Sequence, residues 1–278
     1  MKALERTDDV AALSAIARDL RIDILTMLNA SGSGHSGGSL SAIDILTALY
    51  FSRMDHSPLY PRGKDRDRFV LSKGHAAPAL YAALARAGYF DRSHLLSLRK
   101  LNAMLSGHPF APSTPGVEIS TGSLGQGLSL AVGMALAGRL DGWKKSVFAM
   151  TGDGELQEGQ VWEAAMAAAH YKLDNLVAFV DHNGLQIDGA VAEVMGVDPV
   201  DEKFAAFGWA TRTVNGHDMA EILDAIDWGV AQKGKPSVIV AMTVKGKGVS
   251  FMEGKASWHG TAPSDEQLAA AIAELTLA

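Results

Sequence analysis

Ser146-Val147-Phe148-Ala149-Met150-Thr151-Gly152-Asp153-Gly154 and Leu176-Val177-Ala178-Phe179-Val180-Asp181-His182-Asn183-Gly184-Leu185 decide how this chain folds. Each is a short apolar run that ends in glycine and a polar oxygen donor. The helical pattern Gln160–Tyr171 lies between them, so the stretch reads as strand–helix–strand. Asp153 and Asn183 then stand at the carboxyl ends of successive strands, where open parallel sheets bind ligands. Magnesium takes few oxygen ligands from protein and shares the rest with phosphate and water. One carboxylate, one carboxamide and a glycine without Cβ at 154 suit a metal–diphosphate site. A lone Gly-Asp-Gly is a common turn; the Asn-Gly-Leu on the next strand gives the pair its weight.

Outward from this unit, apolar spacing predicts helices over 10–29, 41–54, 77–87, 93–101, 128–140, 219–232 and 264–278. Strands are expected at 68–71, 209–214 and 237–242. Alternating strands and helices imply an α/β fold, a parallel β-sheet with helices on both faces. No linker divides the chain, and residues 1–278 read as one domain. Met150, Met166 and Met242 read as core filler.

The 278 residues are 47% hydrophobic and 20% charged, with net charge −6 and no cysteine. That composition suits a globular protein. It carries no basic footprint for nucleic acid, and thiolate metal sites, disulfides and cysteine nucleophiles are excluded. No apolar run is long enough for a membrane helix. Met1–Arg6 has mixed charge and no apolar leader core, so a cytoplasmic location is expected.

Four of the nine histidines lie in glycine-rich turns: Gly34-His35-Ser36-Gly37, Gly74-His75, Gly107-His108 and His259-Gly260. Imidazole suits proton transfer to hydroxyls and contact with phosphate; a loop histidine satisfied by backbone is the bland alternative. Ser72-Lys73-Gly74 and Lys245-Gly246-Lys247-Gly248 read as exposed basic turns or as ammonium groups near a diphosphate. Glu155 and Glu158 suit a helix start.

Taken in order, these motifs resemble the N-terminal half of a transketolase, a thiamine diphosphate enzyme. They are Gly-His-Ser-Gly-Gly (34–38), Ser-Lys-Gly-His-Ala (72–76), Gly-His-Pro (107–109), Ser-Thr-Gly-Ser-Leu-Gly-Gln-Gly (120–127), Gly-Asp-Gly-Glu-Leu-Gln-Glu-Gly (152–159), Asp-His-Asn-Gly-Leu-Gln-Ile-Asp-Gly (181–189) and His259. The resemblance covers residues 10–262. It implies that Asp153, Asn183 and the Leu185 carbonyl ligate Mg²⁺ (Ca²⁺ or Mn²⁺ being possible). Gly154, Lys245, His75 and His259 would hold the diphosphate, and Gly122, Leu124 and Ile187 the cofactor rings. His35, His108 and His259 would face the sugar. Glu158 resembles a glutamate that links paired sites across a subunit interface. Ser36 stands where proline is frequent, which would alter the sugar pocket. Glu155 stands where many full-length members carry cysteine, a mark of the half-length branch.

Only 18 residues follow Gly260, too few for another domain. The family's pyrimidine-binding domain, with the glutamate that activates the cofactor, is therefore expected on a separate C-terminal subunit in an α₂β₂ assembly. The implied reaction transfers a two-carbon ketol unit from a ketose phosphate to an aldose phosphate. Other readings are a specialised sugar or sulfo-sugar donor, the α-subunit of a 2-oxo acid dehydrogenase, a non-catalytic cofactor-binding subunit, and a nucleotide-binding domain. The last lacks a Walker loop and a Rossmann G-x-G-x-x-G opening an N-terminal βαβ unit.

Overall fold

In the computed structural model, residues 6–277 are described. The leader reading of residues 1–5 and the last residue of the expected C-terminal helix, Ala278, lie outside them. Helix α1 (Val10–Ser31) is capped by Asp9, whose carboxylate accepts from the Ala11 and Ala12 amides. Next come α2 (Gly37–Ala48), β1 (Arg68–Leu71), α3 (Ala77–Arg86), α4 (Gln126–Leu140), β2 (Val147–Gly152), α5 (Gly159–His170) and β3 (Leu176–His182). A hairpin follows, β4 (Leu185–Gln186) and β5 (Gly189–Ala190), then α6 (Val191–Met195) and α7 (Val200–Ala206). The chain ends with β6 (Ala210–Asn215), α8 (Met219–Ala231), β7 (Ser237–Met242) and α9 (Asp265–Leu277).

Five strands form one parallel sheet in the order β1-β2-β3-β7-β6. Successive strand residues face opposite sides. Phe148, Met150, Val177, Phe179 and Ile239 pack with α1, α2, α3 and α8. Val147, Ala149, Ala178, Val180 and Val238 pack with α4, α5 and α7. Both faces are thus covered, as the near-continuous apolar strands require. Cutting Phe148 or Phe179 back to alanine would cost about 3–5 kcal/mol.

Several local expectations are corrected. Helix α2 begins at Gly37, inside the expected turn, and continues as a π-helical turn, Leu49–Arg53. The helix expected over 93–101 is a 3₁₀ segment, Arg92–Ser97; Arg99 and Asn102 then adopt positive φ and stop it. Met150 is core, but Met166 and Met242 are 55% and 45% exposed.

The candidate cofactor cleft

The carboxyl ends of β1, β2, β3 and β7 open into a cleft of about 600 Å³, counting its mouth. Asp153 follows β2 and is buried; its Oδ1 accepts from the Gly154 amide (2.8 Å) and its Oδ2 from the Gly184 amide (2.5 Å). Asn183 follows β3, its Oδ1 accepting from the Leu185 amide at 3.2 Å. The Leu185 carbonyl accepts from Lys245 Nζ at 3.0 Å. Burial, then the neighbouring Asp181 charge, pushes the Asp153 carboxyl up, a cost that a bound cation would relieve. Among the described residues no group of three or more His, Cys, Asp or Glu could hold a metal. A metal here would rest on one charged and two neutral oxygens. Those donors suit a hard cation that completes its shell with phosphate and water.

The cationic wall comes from β7 and β1. Lys245 lies just past β7 and is buried, with Nζ 3.1 Å from His259 Nδ1. Burial, then the Lys73 charge, lowers its pKa to about 8. Lys73, just past β1, donates to Asp181 Oδ2 (2.5 Å) and to the Gly38 carbonyl (3.1 Å). A Cβ on Gly38 would stand 3.4 Å from both Lys73 Nζ and His75 Nε2.

Four imidazoles gather beside this wall. Ring centroids are 5.2 Å apart for His35 and His75, 5.3 Å for His35 and His259, 5.0 Å for His75 and His259, and 6.3 Å for His35 and His108. Burial and then Arg99 lower His35 to about 4; burial and then Lys245 lower His259 to about 3. Burial with the Lys73 charge holds His75 well below the usual range, and burial with Arg99 lowers the exposed His108. His35 Nδ1 is buried without a hydrogen-bond partner among the described residues.

His75, Leu124, Asp153, Gly154, Glu158, Asn183, Leu185, Ile187, Lys245 and His259 all line the cleft. His35, His108 and Gly122 lie outside its wall: His35 and His108 join it through the imidazole cluster, and Gly122 touches His108. A Cβ on Gly122 would come within 2.9 Å of His108 Cδ2, at a φ of +146° that disfavours any side chain. Gly154 has a second duty, since a Cβ there would sit 2.8 Å from Gln186 Cβ of the hairpin. Ser36 is fully buried, and its hydroxyl donates to the Thr261 carbonyl at 2.6 Å. It therefore braces the His259 segment from behind and does not line the cleft wall. The sequence reading did not assign Asp181 or the bracing role of Glu155; the signal was a carboxylate inside or just after an apolar strand, which burial forces to find donors.

The family described as transketolase, thiamine diphosphate binding domain, matches residues 11–277. The chain belongs to the transketolase family. It is 45% identical over 271 residues to a 6-deoxy-6-sulfo-D-fructose transketolase subunit of Clostridium sp. (strain MSTE9), covering 98% of each chain. It is 41% identical over 260 residues to an apulose-4-phosphate transketolase subunit of Actinobacillus succinogenes, covering 93% of this chain and 94% of that one. The crystal structure of Campylobacter jejuni transketolase superposes with a TM-score of 0.91 at 33% identity, over 96% of this chain. The chain spans only 43% of that full-length transketolase. The fold is thus the transketolase thiamine diphosphate-binding domain, and the family's chemistry is ketol transfer.

Proposed function

We propose that this chain is the N-terminal, diphosphate-binding subunit of a two-subunit transketolase. With a separate C-terminal subunit, in an α₂β₂ assembly, it would move a two-carbon ketol unit from a ketose phosphate to an aldose phosphate. The observation that carries this is the junction of an oxygen-lined, lysine-backed cleft with four clustered histidines. Asp153, Asn183 and the Leu185 carbonyl would hold Mg²⁺. Lys245, His75, His259 and the Gly154 amide would bind the diphosphate, with Leu124, Ile187 and Gly122 against the rings. When bound, thiamine diphosphate supplies the carbon nucleophile that carries the ketol unit.

His35 and His259 titrate far below neutrality, so both are neutral at pH 7 and able to donate and accept. The Lys245 ammonium points at His259 Nδ1, which leaves the proton on Nε2. His259 then offers an N–H to a sugar hydroxyl, while His35, whose Nδ1 is enclosed by protein, would meet the sugar through Nε2. Exposed His108 would meet the sugar at the mouth. Glu158, exposed at the start of α5, would reach toward the paired site.

The relatives matched end to end are named for sulfofructose and apulose 4-phosphate, which makes specialised donors a reading of equal interest. The test mixes this chain with its C-terminal partner, thiamine diphosphate and Mg²⁺, then offers xylulose 5-phosphate, sulfofructose or apulose 4-phosphate with an aldose phosphate acceptor. Turnover in the mixture alone is expected. Turnover by this chain without a partner would rule out the shared site.

A further inference from the structure

Glu155 is 2% exposed and accepts from three separate segments. Its Oε1 takes the Ser72 hydroxyl and the Gly125 amide (2.9 Å), and its Oε2 takes the Gly152 amide (3.1 Å). Ser72 directly follows β1, three residues before His75. Gly125 adjoins Leu124 and precedes α4. Gly152 ends β2 one residue before Asp153. All three bonds are donated to the carboxylate, an arrangement that its ionised form satisfies fully and a neutral carboxamide cannot. From Gly122 to Gly125, the Gly125 bond is the only hydrogen bond to another segment among the described residues; the remaining restraint is packing against Gly74, His108 and Glu158. There is also no slack to absorb a change, since a Cβ on Gly127 would lie 2.4 Å from Ser72 Oγ.

We propose that Glu155 is a positioning residue that locks the His75, Leu124 and Asp153 segments at one fixed spacing, so that diphosphate, ring and metal contacts are preformed together. This rests on the thiamine diphosphate reading above. Glu155 borders the cleft but is almost wholly buried, with both carboxylate oxygens turned to protein donors, so it acts through Ser72, Gly125 and Gly152. Replacing one acceptor oxygen by an amide nitrogen sets a donor against a donor, and the cheapest relief is for the Gly122–Gly125 segment to move away.

The test uses the complex of this chain with its C-terminal partner. Calorimetry reads the Kd for thiamine diphosphate in Mg²⁺, and hydrogen exchange reads the Gly125 amide without cofactor. Glu155→Gln is expected to weaken the cofactor about tenfold and to speed Gly125 exchange at least as much. Ser72→Ala is expected to weaken it about threefold. The double variant should match Glu155→Gln alone, because Ser72 acts only through the carboxylate. If Glu155→Gln does not fold, Ser72→Ala decides by the same two readouts. Wild-type Kd and exchange in both variants would overturn the proposal, even with a lowered melting temperature, since that pattern is merely structural. Failure of the wild-type complex to bind thiamine diphosphate would overturn both this proposal and the functional reading beneath it.

Discussion

Floor and rim of the cleft each present a buried lysine, and the two are treated differently. On the floor, Lys73 is closed off. It is paired with Asp181, which also accepts from the Ser41 hydroxyl at 2.6 Å and from the Thr243 hydroxyl. Burial pushes the Asp181 carboxyl up, but Lys73 and the two hydroxyls outweigh it and hold it below the usual range. At the rim, Lys245 has no carboxylate partner among the described residues, only the Leu185 carbonyl and an imidazole. Its pKa is depressed, which a neighbouring phosphate would reverse. The floor is a finished ion pair; the rim lysine has none among the described residues.

Three variants press on this contrast, starting from the largest effect. Lys73→Met strands Asp181 in the interior and should cost about 3–5 kcal/mol of stability, read by denaturant unfolding. Adding Asp181→Asn should recover most of the loss; no recovery would show that the pair is not what Lys73 serves. Lys245→Met should leave stability nearly unchanged, or raise it slightly, while weakening thiamine diphosphate about 30-fold, roughly 2 kcal/mol. If Lys245→Met instead unfolded the chain as Lys73→Met does, the contrast would collapse.

A smaller effect concerns pH. The folded pKa values of His35 and His259 are lowered to about 4 and about 3. The unfolded chain takes up protons near pH 6.5 while the folded chain does not. Stability from these groups is therefore complete above about pH 6.5 and lost as pH falls toward 4. The raised carboxyls of Asp153 and Glu155 act with opposite sign, so the decisive quantity is a difference. His35→Asn should flatten the fall in melting temperature of the ligand-free chain between about pH 7 and 5. An unchanged slope would mean that the half-buried His35 ring is not held neutral.

Much of this architecture was legible in sequence because it is local. Strands β2 and β3 are apolar runs closed by glycine and acid, and α5 shows its spacing between them. The relation of Asp153 to Asn183 followed from strand ends alone. What was not legible depends on distance or on very short elements. Lys73 and Asp181 are 108 residues apart, and no spacing rule joins them, so Lys73 read equally well as an exposed turn. The 185–190 hairpin has strands of two residues, below any detectable period. Residues 93–101 carry helix-forming leucines, but nothing local marks Arg99 as adopting a left-handed backbone.

The central claim is that the rim binds a metal-bridged diphosphate. Calorimetric titration of thiamine diphosphate into the assembled complex, with Mg²⁺ and with chelator, for wild type and Asp153→Ala, tests it most directly. The account predicts tight binding by wild type only with Mg²⁺, and at least 100-fold weaker binding by Asp153→Ala, about 2.7 kcal/mol. Equal affinity in all four titrations would contradict it.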